Sequence, residues 1–108
     1  MTIDILDVLF IRDVWLGNCP DARPCVVIGK AHGQVCVVML VSGAYDLRRA
    51  NLDFSISDYY PAFKQTGLSK PSFVLGDEIH EIDDRQIIKK LGKLEGQLAA
   101  DFKLWLGI

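Results

Sequence analysis

The sequence predicts a small α+β domain, mainly β, in which an antiparallel sheet precedes helices. Three observations carry that reading. β-Branched stretches with a period of two run up to Ile82, the period changes once to 3.6 after Asp83-Asp84, and strands never alternate with helices as βαβ units require. With 108 residues, half of them apolar, the chain can bury one core and is too short for two. A single domain over 1–108 is expected.

Val8 to Trp15 reads as a strand, Pro24 to Lys30 as a second, and Val35 to Val41 as a nearly continuous buried run, with Ala31-His32-Gly33 turning between the last two. Asn51 to Ser57 sets Leu52, Phe54 and Ile56 against polar neighbours, the alternation of a half-buried strand. Pro71 to Leu75 and Glu78 to Ile82 add two short strands, punctuated by Gly67 and Gly76. Either aspartate of Asp83-Asp84 can cap a helix over 84–91 through "RQIIKKL", stopped by Gly92. Leu91, Leu94, Leu98, Phe102 and Trp105 then recur at steps of three and four, which predicts a second helix over 94–106 with a core or dimer stripe. Lys89, Lys90 and Lys93 would form the solvated face of the helices. The expected architecture is a strongly bent sheet or small barrel from 8 to 82 with C-terminal helices packed on it.

Composition narrows the function classes. A net charge of −2 rules out a protein coated in positive charge, so any nucleic-acid contact must come from a local basic site. Cys19, Cys25 and Cys36 make no CxxC pair and read as small reduced hydrophobes. The start "MTIDILDVLF" lacks the basic region of a secretory signal, and no apolar run approaches the ~18 residues of a membrane span. A cytoplasmic protein without a membrane partner is expected. His32 and His80 are far apart and have no acids at metal-ligand spacing, and no HExxH, GxGxxG or GxxxxGK[ST] occurs, so neither a metal nor a cofactor is expected.

The chemistry-bearing feature is the hairpin "ARPCVVIGKAHGQVCVVMLVSG", which has Arg23 at its entrance and Ser42 at its exit. Antiparallel pairing sets the start of one strand beside the end of the next, so the two side chains can share a pocket. A guanidinium offers a fixed bidentate positive fork and a hydroxyl a small donor and acceptor, polar groups at the strand ends. Taken alone, an arginine before a proline is an ordinary surface charge and a serine before a glycine an ordinary turn residue.

The order strand, "RP", hydrophobic strand, second hydrophobic strand ending in Ser-Gly, then "TGLSKPSFVL", "EIHEID", "IIKKLGKL" and an amphipathic terminal helix resembles the MazF/PemK toxin family over about 23–108. That resemblance implies an SH3-like antiparallel barrel and a homodimer. It further implies a ribosome-independent endoribonuclease of a type II toxin–antitoxin system, a hydrolase of the mRNA interferase type, restrained by a cognate antitoxin. Arg23 matches the family's catalytic arginine, and Ser42 stands where a threonine is usual. Pro24, Gly43, Glu78 and His80 are implied as RNA-binding. Metal-independent, sequence-specific cleavage of single-stranded RNA, leaving a 2′,3′-cyclic phosphate, is the expected activity. The chain differs from the family pattern at Leu6, which occupies a glycine position, and at Glu78-Ile79-His80, where Gln-Ile-Arg is common. Two other readings stay open: the related CcdB fold, which poisons DNA gyrase and ends in Trp-Gly-Ile where this chain ends "WLGI", and a MazF-like module that binds without cutting.

Overall fold

The computed structural model describes residues 2–16, 19–30 and 35–108. Six strands, β1 (Asp7–Leu16), β2 (Cys19–Lys30), β3 (Val35–Ser42), β4 (Phe54–Ile56), β5 (Ser72–Asp83) and β6 (Ile87–Lys93), form one antiparallel sheet in the order β4-β5-β3-β2-β1-β6. A single α-helix, α1 (Gly96–Leu106), closes the chain. The class is therefore α+β and mainly β, as the periodicity implies. The sheet is open, because its edge strands β4 and β6 form no ladder with one another. The expected turn at Ala31-His32-Gly33, His32 included, lies outside the described residues.

Alternation along the central strands feeds two buried clusters on opposite faces. Leu9, Ile11, Cys25, Val27, Val38, Leu40, Leu75 and Ile82 belong to one, to which only Ile3 is added from outside the strands, so the sheet itself curls around it. Val8, Val26, Met39, Val41, Phe54, Ile56 and Val74 belong to the other, where α1 inserts Leu98 and Phe102. The predicted stripe is core: Leu94, Leu98 and Phe102 are buried, and Leu91 and Trp105 pack against them. Phe102 meets Phe54 edge-on at 5.3 Å, and Trp105 lies 5.6 Å from both rings.

Several elements differ from the sequence reading. The helix expected over 84–91 is one 3₁₀ turn, Asp84–Gln86, after which the chain runs as β6. Asp83 does cap it: its side chain accepts from the Arg85 amide, while the Gln86 side chain accepts from the Asp83 amide. Two register shifts between β1 and β6 bring Ile87 to the first cluster and Leu91 to the second, so two apolar residues four apart serve opposite faces of the sheet and not one face of a helix. The lysines consequently stand on an edge strand, and Lys90 pairs with the buried carboxylate of Asp7 at 3.2 Å instead of coating a helix.

The two short strands expected around Gly76 are one strand, β5. Gly76 marks a shift in the β3–β5 register between Met39 and Val41, not a turn. A Cβ at this position would collide with the backbone carbonyl of Leu52, so only glycine lets the two backbones approach. The strand expected over 51–57 shortens to β4. Leu6, at the family's glycine position, has φ 76°, a left-handed conformation that glycine adopts freely and leucine does not.

A candidate phosphate site at the end of the central strands

Arg23 is positioned by β2 and Ser42 by the last residue of β3. Arg23 pairs with Ile11 across β1, and Ser42 pairs with Phe73 across β5. The β2–β3 ladder runs Val27–Val38, Val26–Met39, Cys25–Leu40 and ends there. Extended two steps beyond its last pair, that register would line Arg23 up with Ser42. Phe73 in turn pairs with Ser55 of β4. The pairs Ile11–Arg23 and Ser42–Phe73–Ser55 thus lie along the line of one extrapolated row, on the sheet face that carries the first cluster.

The electrostatics of the row are lopsided. The Arg23 Nε is buried and has no hydrogen-bond partner among the described residues. An unsatisfied buried donor of a charged group is costly unless a ligand answers it. The Ser42 hydroxyl accepts from the Ala44 amide at 3.1 Å, which fixes the strand exit and leaves its own proton free to donate. Lys70 lies across Gly43: a Cβ added to that glycine would run into the Lys70 side chain, with Nζ 3.0 Å away. A second cation thus lies against Gly43, the residue after Ser42. Lys70 was not singled out in the sequence.

Beyond Ser42 the floor is built by Arg49. Its guanidinium donates to Asp53 at 2.8 and 3.0 Å and to Asp77 at 2.5 and 3.5 Å. These hydrogen bonds, first that of Asp53, push the Arg49 pKa further up, and Arg49 holds the Asp77 carboxyl below its ordinary value. Asp53 also accepts from the Gly76 amide at 3.0 Å, so one carboxylate ties the arginine to the irregular part of β5. Ser42, Ala44, Asp46, Arg49, Asp53 and Leu75 line a cavity of about 200 Å³.

The other expected site residues divide. Glu78 and His80 stand on the same face of β5, hydrogen-bonded to each other at 2.9 Å and half-buried. Pro24 pairs with Phe10 and turns to the opposite face, where it lines a separate apolar hollow with Leu68, Lys89 and Leu91.

The family model described as PemK-like, MazF-like toxin of type II toxin–antitoxin systems matches residues 12–107. The chain belongs to this family. No curated protein matches the sequence. A PemK/MazF-like toxin of this kind implies an antitoxin partner, and no helix here is long and apolar enough to cross a membrane among the described residues.

Proposed function

We propose that this toxin is a metal-independent, sequence-specific endoribonuclease that cuts single-stranded RNA at the Arg23–Ser42 row and leaves a 2′,3′-cyclic phosphate. The observation that carries the reading is the buried, unpartnered Nε of Arg23 on the row that holds Ser42. Such a donor suits an oxyanion, and the neighbouring Lys70 adds positive charge. In the reaction the 2′-oxygen bonds to phosphorus, the bond to the 5′-oxygen breaks, and protons move off the 2′-hydroxyl and onto the leaving oxygen. Arg23 and Lys70 stabilise the charge that accumulates on the phosphorane, Ser42 donates to a phosphate oxygen, and Glu78 and His80 contact the RNA chain. The toxin works in the cytoplasm as a homodimer, restrained by its cognate antitoxin.

The test is incubation of the purified protein with a long unstructured RNA in EDTA, followed by mapping of the ends. Arg23→Ala should lower the rate about 100-fold or more, the scale of losing one preorganised transition-state donor. Ser42→Ala should cost less, and Ser42→Thr should keep or raise the activity. Absence of cleavage by the wild type, or full activity in Arg23→Ala, refutes the proposal. Inhibition of DNA gyrase by such an inactive chain would point to the CcdB-like reading, and failure of both assays to a binding module.

A further inference from the structure

The row continues past Ser42 into a second cavity of about 220 Å³, lined by Tyr45, Asp46, Arg49, Ala50, Asp53, Ser55 and Phe73. We propose that this cavity receives the RNA base next to the cleaved bond, stacked on Tyr45 and Phe73. The proposal rests on the nuclease reading for what the cavity serves, and on its own geometry for what the cavity binds.

Four observations support it. The cavity is smaller than the ~300–1,000 Å³ typical of pockets that enclose a whole small molecule, so it suits a single ring system. Two of its walls are aromatic: the Tyr45 and Phe73 rings lie 5.6 Å apart at 53°, and Tyr45 is 67% exposed although nothing on the solvent side covers it. The Arg49 guanidinium is held flat by its four bonds to Asp53 and Asp77, giving a third planar surface of the kind on which unpaired bases stack. Position supplies the fourth. Phe73 is the register partner of Ser42 and stands two strands from Arg23, roughly 10 Å, which places the base beside the phosphate site.

The charge pattern says which part of the nucleotide enters. Arg49 has spent its bonds on Asp53 and Asp77, and Asp46 is paired with Arg48, so the cavity offers no unpaired cation to a phosphate. An uncharged base enters in preference.

The probe is a 2′-O-methyl oligonucleotide, which cannot be cut, with 2-aminopurine placed at successive positions. Its fluorescence should be quenched at one position in the wild type. Tyr45→Ala should abolish that quenching and weaken binding about ten-fold, the range for losing one base–aromatic stack. Tyr45→Phe, which keeps the ring, should retain both. Cleavage of unmodified RNA is measured alongside. If the wild type cuts RNA while Tyr45→Ala binds and is quenched like the wild type, the base pocket is refuted and the nuclease stands. Quenching lost in Tyr45→Ala from a chain that cuts no RNA supports the pocket and refutes the nuclease. A wild type that neither binds nor cuts refutes both. If Tyr45→Ala weakens only capture of the antitoxin, the cavity docks protein and the proposal falls.

Discussion

Replacing Asp53 by alanine should destabilise the fold far more than replacing Asp77, although both carboxylates pair with the same arginine. Asp53 is 7% exposed in its side chain and Asp77 51%. Asp53 accepts from Arg49 Nε, Arg49 Nη2 and the Gly76 amide. Its loss orphans that amide, which the Leu52 carbonyl packs against, at about 1–3 kcal/mol for an unsatisfied buried donor. The weakened pairing of the half-buried Arg49 adds about 1 kcal/mol, below the figure for a fully buried pair because Asp77 remains. The sum, about 2–4 kcal/mol, corresponds to a fall in Tm of roughly 10–25 °C for a domain of this size. Asp53→Asn keeps an acceptor for Gly76 and should lose about half as much. Thermal unfolding followed by circular dichroism, with urea midpoints at unchanged m-value, reads the series. Equal effects of Asp53→Ala and Asp77→Ala, or an asparagine as harmful as alanine, would refute the reasoning.

Phe102→Ala removes a fully buried ring that touches Phe54 and Trp105 and should cost about 3–5 kcal/mol in urea unfolding, whereas Leu104→Ala, on the exposed side of α1, should be close to neutral. The Tyr60 hydroxyl donates to Asp101 at 2.6 Å, which holds the Asp101 carboxyl below its ordinary value and raises the Tyr60 phenol above its own. The contribution of Asp101 is therefore present above its unfolded value of about 4 and lost as pH falls through the lower folded value, while that of Tyr60 is present below about 10 and lost as pH rises through its higher one. Urea midpoints against pH should flatten at both ends in Tyr60→Phe, and an unchanged profile would count against the pair. Burial pushes the Cys25 thiol up to about 12. In a Cys19→Ser chain at pH 8, iodoacetamide should leave Cys25 unmodified until urea is added, and rapid alkylation of the native protein would contradict the packing.

The sequence by itself determined the sheet and its sidedness. β3 is legible because its apolar run is bounded by Ser42-Gly43, β2 only from Pro24 onward although it begins at Cys19, and the stripe Leu98, Phe102, Trp105 reveals α1, which starts at Gly96 and not at 94. Antiparallel pairing alone was also enough to suggest that Arg23 and Ser42 face one another, since that depends only on register. Tertiary structure decided everything that depends on where the register slips. Two bulges turned the apparent helix over 84–91 into β6, and one irregularity at Gly76 joined two short strands into β5. Ordinary strand alternation sends Pro24 to the face opposite Arg23, and the pairing of β3, β5 and β4 aligns Phe73 and Ser55 with Ser42. Arg49, Asp53, Asp77 and Lys70 were invisible beforehand for a related reason. Arg49 and Asp77 meet across 28 positions of chain, through contacts between a loop and a bulged strand that no local period encodes. Periodicity reports the environment a segment prefers, but the position of a side chain within a site depends on backbone irregularities whose energy is set by distant neighbours.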